Sequence, residues 1–384
     1  MLGPAWLKGP ATIKLSEYVM QFVVSQGVPH LFMLPGGGCM HLADSAGHTP
    51  GLEYIACLHE QACAFAAQAY SQYTNHLGVA LVTTGPGGTN ALTGVAGAWT
   101  ESDAVLVISG QVKRADLLAS SGVRTMGQQE LDIVSIVKPI TKYAVTVTEP
   151  ESIRYHLEKA VYLATHGRRG PVWIDIPLDV QAIAIDEDQL EGFSPTELPA
   201  SDLLDAAQMQ ERAQQAVKTL AAAERPVLFM GNGVRAARAA REALQLAEAL
   251  QLPILVTWKA LDLVPEDHPL YIGRPGAIGQ RAANFAQQNA EAMLILGARL
   301  DLPQTAFNHE NFAPHARKFV VDVDPAEILK LRMVDMVGAP ADAGDFLRAC
   351  LSALPVVSSG EHEPWLERCR DWVRRYPIVL PEYW

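Results

Sequence analysis

The stretch that decides the fold is Glu53-Tyr-Ile-Ala-Cys-Leu-His-Glu60, which leads directly into the Ala-rich segment Gln61-Ala-Cys-Ala-Phe-Ala-Ala-Gln-Ala-Tyr-Ser71. The first part is a short apolar run typical of a strand, and the second has the composition of a helix packed on more than one side. Glu60 then lies in the first turn of that helix. An acidic side chain there either complements the helix dipole or serves as a chemical group in a site.

The same alternation of apolar runs and amphipathic segments extends from Thr12 to about Pro177. It predicts βαβ units around a parallel sheet. The predicted strands are 30–34, 53–58, 78–83, 104–109, 142–148 and 171–176. The predicted helices are 14–26, 39–46, 60–73, 87–98, 130–136 and 150–165, with a loop region at 111–128.

A second α/β unit of similar size follows. Residues 183–200 mix acids, Pro and Ser without apolar periodicity, which indicates a linker. The later strands are predicted at 226–230, 253–257, 291–296 and 317–323, and the helices at 202–223, 236–250, 280–288, 339–354 and 362–375. The predicted segments are therefore a first domain at 10–182, the linker at 183–200, a second domain at 201–355, and the start of a further linker at 356–384.

Composition excludes several classes of protein. The 384 residues are 49% hydrophobic and 19% charged, which is typical of a globular chain with room for two domains. A formal net charge of −12 disfavours nucleic acid or an anionic membrane as a partner. The sequence has no apolar run as long as the roughly 18 residues of a membrane span, and no secretory signal pattern at its start. We expect a cytoplasmic protein.

The cysteines are odd in number and form no C-x-x-C pair, so we expect reduced thiols. Cys57, His59 and Cys63 lie near one another in the sequence, but a strand end and the following helix separate them. Ordinary core positions explain the two cysteines better than metal ligation does, so we predict no metal ligands. The five cysteines are Cys39, Cys57, Cys63, Cys350 and Cys369.

Four segments end strands of the first domain and should converge at the carboxyl edge of its sheet, where ligands bind in open α/β folds. Three are glycine-bearing loops, and the fourth delivers the acidic side chain. Each loop alone is ordinary turn chemistry, but together with Glu60 they predict a shared site. The segments are Leu34-Pro-Gly-Gly-Gly38, His59-Glu60, Thr83-Thr-Gly-Pro-Gly-Gly-Thr-Asn90 and Ser109-Gly-Gln111.

These motifs, in this order, resemble the pyrimidine-binding domain of the thiamine diphosphate enzymes, in their acetolactate synthase and pyruvate oxidase branch. The resemblance runs from Thr12 to Trp384. It implies two doubly wound parallel-sheet α/β domains, the pyrimidine-binding domain and a Rossmann-like central domain. The supporting motifs are the PGG loop, H-E-Q-x-x-x-F-A-A-x-x-Y at 59–70, T-x-G-P-G-x-T-N at 83–90, I-S-G-Q at 108–111, Q-E at 129–130, I-T-K at 140–142 and G-P-V-W-I-D-I-P at 170–177.

The resemblance implies thiamine diphosphate as cofactor and Glu60 as the residue that activates it. The cofactor's own 4′-imino group removes the C2 proton, and that tautomer requires a protonated pyrimidine N1′. A carboxyl group hydrogen-bonded to N1′ promotes this state. The apolar surroundings of Glu60 should disfavour a bare carboxylate there, against the weaker effect of the helix end.

The resemblance also implies roles for other residues. Pro35, Gly36, Pro86, Asn90 and Gln111 correspond to residues beside the cofactor. Gln129 corresponds to a catalytic glutamine in the cleft. Phe65 and Lys142 correspond to residues near the substrate channel, although a core Phe and a surface Lys are the plain alternatives.

Two features depart from the family pattern. Where acetolactate synthases usually have Phe-Gln-Glu, this chain has Gln128-Gln129-Glu130, which questions specificity for pyruvate. In the second domain, Gly231-Asn-Gly233 could hold a phosphate at a helix start, or could be an ordinary turn. The segments 273–276 and 300–303 differ from the usual flavin-contacting motifs, so FAD binding is left open.

In this family a third domain with a Gly-Asp-Gly motif binds the diphosphate and Mg²⁺. No such motif occurs here, and such a domain would need about 150 further residues. We therefore expect a truncated chain that is inactive alone, with Mg²⁺ bound through the missing domain.

Two functions remain open. The first is a carboligase or decarboxylase of 2-oxo acids, acetolactate-synthase-like, acting as a homodimer or tetramer. The second is a non-catalytic nucleotide-binding or regulatory remnant of the family. An NAD-dependent dehydrogenase is disfavoured because the turn at 231–236 lacks the third glycine of the dinucleotide fingerprint.

Overall fold

The structure, a computed structural model, describes residues 12–118, 122–354 and 361–383. The chain divides into two compact units, the first ending at Pro199 and the second starting at Ala200. Within the described ranges, no helix has the length and apolar character needed to cross a membrane.

The described residues of the first unit form eight strands and seven α-helices. Its strands are β1 Thr12–Lys14, β2 His30–Met33, β3 Glu53–Ala56, β4 Gly78–Val82, β5 Val105–Gln111, β6 Tyr143–Thr146, β7 Val172–Pro177 and β8 Ala184–Asp186. Its helices are α1 Leu15–Ser25, α2 Met40–His48, α3 Glu60–Thr74, α4 Pro86–Glu101, α5 Ile133–Val137, α6 Ile153–Thr165 and α7 Leu178–Gln181.

Six of these strands form a parallel sheet in the order β3-β2-β4-β5-β7-β6. The strand β5 is buried along its whole length, as expected for an interior strand of a parallel sheet. Side chains of α1, α2 and α6 pack on one face of the sheet. Those of α3, α4 and α5 pack on the other. The predicted doubly wound architecture is therefore confirmed for this unit.

The second unit is built in the same way. Its parallel sheet has the order β11-β10-β9-β12-β13-β14. Its strands are β9 Pro226–Met230, β10 Ile254–Val256, β11 Tyr271–Gly273, β12 Ala292–Leu296, β13 Arg317–Asp322 and β14 Met336–Pro340. Its helices are α8 Ala206–Ala222, α9 Asn232–Ala236, α10 Ala240–Leu250, α11 Arg281–Asn289, α12 Pro325–Leu329, α13 Ala343–Ala353 and α14 Glu363–Arg375.

The structure differs from the sequence prediction mainly at short elements. The edge strands β11 and β14 were not predicted, because runs of three and five residues give little periodicity. The start of the predicted linker forms the strand β8, which pairs antiparallel with β1. The predicted helix 236–250 corresponds to α10, which begins only at Ala240, because Arg238 takes a φ of +54° and separates it from the short helix α9, which was not predicted.

Candidate active site

Glu60 is the first residue of α3, and its side chain is only 8% exposed. The cap of this helix is formed by the residue before it, because His59 Nδ1 accepts a 3.1 Å hydrogen bond from the backbone N–H of Gln61. The carboxyl group of Glu60 is therefore not needed as the cap.

The two oxygens of Glu60 have different surroundings. Oε2 accepts a 3.0 Å hydrogen bond from Asn90 Nδ2, which comes from α4. Oε1 has no hydrogen-bond partner among the residues that the structure describes, and it lies beside Gly87. A Cβ atom on Gly87 would be 3.6 Å from Oε1 and 2.7 Å from Thr83 Cγ2. The missing side chain thus leaves Oε1 open to approach.

Thr83 joins this acid to the glycine loop after β2. The backbone N–H of Gly38 donates a 3.1 Å hydrogen bond to Thr83 Oγ1. A Cβ atom on Gly36 would lie 2.6 Å from the Thr83 side chain. The loops 35–38 and 83–87 therefore touch, with Glu60 beside the second of them.

The end of β5 contacts both of these loops. Thr84 Oγ1 donates to the carbonyl of Gly110 at 3.0 Å. The carbonyl of Gly38 lies so close that a Cβ atom on Gly110 would be 2.1 Å from it. Gln181 Nε2 also donates to this Gly38 carbonyl, at 2.7 Å. All four predicted strand-end segments therefore meet at one edge of the sheet.

The predicted cleft residue Gln111 is buried, and its amide makes three internal hydrogen bonds. Its Nε2 donates to the carbonyl of Leu131 at 3.0 Å and to Asp175 Oδ2 at 3.2 Å. Its Oε1 accepts from the backbone N–H of Val112 at 3.0 Å. Gln111 thus lies beneath the segment 128–131 and links it to the sheet.

The side chain of Gln129 is exposed, while its backbone presses on the loop after β4. A Cβ atom on Gly85 would be 2.2 Å from the Gln129 carbonyl oxygen, and Gly85 has a φ of +58°, so glycine is needed there on both counts. The next residue, Glu130, is buried and anchors its own loop. Its carboxylate accepts from the backbone N–H groups of Leu118, Met126 and Gly127.

Three further predicted site residues are exposed to solvent. Pro35 and Pro86 lie exposed in the two converging loops, with Pro86 at the first position of α4. Phe65 lies on α3 and is 43% exposed, so it is not a core residue.

The structure does not bring Lys142 to this edge. Lys142 precedes β6, so it lies at the amino edge of the parallel sheet, opposite the strand ends that meet around Glu60. Its Nζ donates to the carbonyls of His166 and Arg168 at 2.9 Å and 2.6 Å. Burial lowers the pKa of Lys142 to about 8. These contacts are those of a structural lysine.

Sequence reasoning gave no role to Thr83, Gln181 or Asp175, although all three hold the site together. Asp175 is fully buried in β7, and burial raises its pKa to about 7 against the opposing effect of its hydrogen bonds. A single acid inside the buried run Val172–Pro177 is a signal that was present in the sequence.

In the second unit, the backbone N–H of Gly231 donates to the carbonyl of Leu296, and that of Gly233 to the carbonyl of Gly297. A Cβ atom on Gly233 would lie 2.6 Å from Gly297 Cα. These glycines therefore serve close packing between the ends of β9 and β12, and their two N–H groups are already engaged.

Comparison with protein families identifies both units. Residues 13–136 match the model described as the thiamine pyrophosphate enzyme N-terminal TPP binding domain. Residues 213–350 match the thiamine pyrophosphate enzyme central domain. The chain belongs to the thiamine pyrophosphate enzyme family. Thiamine pyrophosphate is the same compound as thiamine diphosphate, so the predicted family is confirmed.

Similar curated members of the thiamine pyrophosphate enzyme family are large subunits of acetolactate synthase. The probable large subunit of Methanocaldococcus jannaschii is 34% identical over 371 residues, which cover 97% of this chain and 61% of that protein. Isozyme 1 of Escherichia coli is 33% identical over 368 residues, covering 96% and 62%. Isozyme 2 of Escherichia coli is 35% identical over 367 residues, covering 94% and 63%. The chain spans about three fifths of the length of these relatives.

The geometry around Glu60 fits the aminopyrimidine of thiamine pyrophosphate. A buried carboxyl group presents one oxygen without a partner, and Gly36 and Gly87, which have no side chains, let the two loops pack directly against Thr83 beside it. Within the described residues, no three His, Cys, Asp or Glu side chains cluster so as to hold a metal ion.

Proposed function

We propose that this chain provides the cofactor-activating site of an acetolactate-synthase-like enzyme, a thiamine diphosphate-dependent carboligase or decarboxylase of 2-oxo acids. The observation that supports it most is the pairing of a free Glu60 Oε1 with an Oε2 held by Asn90. The matches to acetolactate synthase large subunits support the same reaction class.

In this proposal Glu60 Oε1 forms the hydrogen bond with N1′ of the cofactor's pyrimidine and shares a proton with it. Asn90 fixes the rotamer of Glu60, so that Oε1 faces the open side. Glu60 is already only 8% exposed, so a bound pyrimidine would cover Oε1 and keep water from competing for that hydrogen bond. When bound, thiamine diphosphate supplies the carbon nucleophile that attacks the 2-oxo group.

The backbone of the converging loops shapes the remaining wall. Pro35 and Gly36 border the pyrimidine on one side, and Pro86 and Gly87 on the other, where the lack of side chains allows close approach. Gln111 supports this wall from beneath, through its hydrogen bond to the carbonyl of Leu131.

For the substrate side, we propose that Gln129 and Phe65 face the 2-oxo acid, since both side chains are exposed. Gln128 is also exposed, at the position where acetolactate synthases usually have Phe. A polar residue there favours a 2-oxo acid or acceptor more polar than pyruvate. Lys142 would reach the substrate only from the opposite edge of the sheet, so we give it no part in the chemistry.

Further proposals concern ions, flavin and assembly. We propose that Mg²⁺ accompanies the diphosphate, as the family resemblance implies, and we leave FAD as an optional ligand of the second unit. A homodimer or tetramer is supported by apolar side chains that the first unit leaves in solvent, such as Leu58 at 99% and Tyr73 at 91% exposure. A cytoplasmic location is supported by the five free cysteines.

The experiment is a titration of the full-length protein with thiamine diphosphate and Mg²⁺, followed by a screen of 2-oxo acids for release of CO₂ and formation of carboligated product. We expect saturable binding and turnover of at least one 2-oxo acid. Binding without turnover of any of them would count against the carboligase, and no binding at all would refute the proposed site and leave the non-catalytic remnant.

A further inference from the structure

Polar side chains meet on one face of the first sheet, within an otherwise apolar layer. Ser109 of β5 and Thr146 of β6 both lie in register with Asp175 of β7. Residues in register on neighbouring parallel strands share a face, so these three side chains adjoin. Asp175 is 1% exposed, and the surrounding cluster is formed by residues such as Val107 and Trp173.

The carboxylate of Asp175 is surrounded by uncharged donors. Its Oδ1 accepts from Ser109 Oγ at 2.5 Å, and its Oδ2 accepts from Thr146 Oγ1 at 3.0 Å and from Gln111 Nε2 at 3.2 Å. The charged group that acts on it most is Asp132, the cap of α5, whose negative charge adds to the effect of burial in raising the pKa of Asp175. Such a group is costly to bury, which calls for a reason beyond packing.

The hydrogen bond between Gln111 and Asp175 restricts the orientation of the Gln111 amide group. With its NH₂ group facing Asp175 and the carbonyl of Leu131, Gln111 must turn its Oε1 to the backbone N–H of Val112. A flipped amide would place Oε1 against the carboxylate and an NH₂ group against an N–H donor. Asp175 therefore acts together with the Leu131 carbonyl and the Val112 N–H to select one of the two orientations of the Gln111 amide.

The orientation of the Gln111 amide affects the site through the segment 129–131. Leu131 follows Gln129 and Glu130, and the carbonyl of Gln129 lies against Gly85. Gly85 immediately precedes α4, the helix that places Gly87 and Asn90 beside Glu60.

We propose that Asp175 is a positioning residue of this site: it anchors the Gln111 amide to the sheet and, through the bond of that amide to Leu131, holds the segment 128–131 against Gly85. Its link to catalysis rests on the proposed function. The effect of Asp175 on the segment 128–131 can be measured without cofactor or substrate. This effect can therefore be absent while the proposed function is correct, and it can be present while the proposed function is wrong.

The test is amide hydrogen exchange, followed by mass spectrometry, on the full-length protein without ligands. In Asp175→Val, we expect exchange at Val112, Met126 and Gly127 to rise by about tenfold or more, with helix α6 unchanged. Asp175→Asn keeps an oxygen acceptor for Gln111 and should restore most of the protection. Thr146→Val removes a neighbouring donor but leaves the Gln111 bond, so it should behave like the wild type.

Unchanged exchange at Val112, Met126 and Gly127 in Asp175→Val would overturn the proposal, and so would a rise of equal size in α6, which would indicate a merely structural residue. If Asp175→Val does not fold, Gln111→Leu tests the same link, because it keeps the carboxylate and both hydroxyl donors. It should raise exchange at Met126 and Gly127 by a similar factor, and unchanged exchange there would overturn the proposal.

Discussion

Asn90 Nδ2 donates a 3.0 Å hydrogen bond to Oε2 of Glu60 and so joins the second turn of α4 to the first residue of α3. This contact determines which carboxyl oxygen of Glu60 remains open. The proposed chemistry of the site depends on it.

Asn90→Ala should therefore weaken both folding and cofactor binding. Loss of a hydrogen bond to a buried carboxyl group costs about 1–2 kcal/mol, which urea unfolding can measure. Thr93→Ala, one turn further along α4 and exposed, is the matched control and should change stability by less than about 0.5 kcal/mol. Equal stability of Asn90→Ala and the wild type would contradict this role.

Gly87→Ala should close the space beside Glu60 Oε1. The added methyl group would lie 2.7 Å from Thr83 Cγ2 and 3.6 Å from Oε1. Overpacking of this kind costs about 1–3 kcal/mol of folding stability. Because the methyl group would also stand where the cofactor approaches Oε1, we expect thiamine diphosphate to bind roughly tenfold or more weakly in a calorimetric titration. Gly47→Ala in α2, where a Cβ atom would meet nothing within 4 Å, is the control and should bind normally. Normal binding by Gly87→Ala would show that the cofactor does not approach there.

Asp175 should make the stability of the protein depend on pH. Burial raises its pKa from 3.8 to about 7, so the folded state holds a proton that the unfolded state releases. Its contribution is fully present below pH 3.8 and is lost as the pH rises through about 7. Relative to Asp175→Asn, the wild type should lose up to about 1.4 kcal/mol per pH unit in this window, measured by urea unfolding from pH 5 to 9. A difference between the two proteins that stays constant from pH 5 to 8 would refute the assignment.

Lys142→Met should affect folding but not the reaction. It removes the donor to the carbonyls of His166 and Arg168, at a cost of about 1–3 kcal/mol. Burial lowers the pKa of Lys142 from 10.5 to about 8. The contribution of this pKa shift to the free energy of unfolding is therefore present above pH 10.5 and is lost as the pH falls through about 8. The Kd for thiamine diphosphate and the KM for the 2-oxo acid should not change. A rise in KM of about tenfold would place Lys142 in the substrate channel after all.

The sequence was sufficient to predict the meeting of Glu60 with the loops 35–38, 83–90 and 109–111. That prediction needs only alternating strands and helices and the rule that carboxyl ends of parallel strands share an edge. The role of Asp175 needs the order of the sheet, because its partners Ser109 and Thr146 lie 66 and 29 residues away in the chain. No periodicity specifies that register.

Other differences have the same origin. The pairing of β1 with β8 lies inside a stretch whose composition indicates a linker, since three-residue strands leave almost no pattern. Lys142 was placed near the substrate by resemblance alone. Its position at the start of β6 puts it at the amino edge of the sheet.

The central claim is that Glu60 shares a proton with the pyrimidine of the cofactor, and the most direct measurement is the rate of deuterium exchange at C2 of thiamine diphosphate bound to the full-length protein. We expect Glu60→Gln to slow this exchange by about 100-fold or more. Glu53→Gln, an exposed acid on β3, should leave it unchanged. If Glu60→Gln binds the cofactor and exchanges the C2 proton as fast as the wild type, the account is wrong.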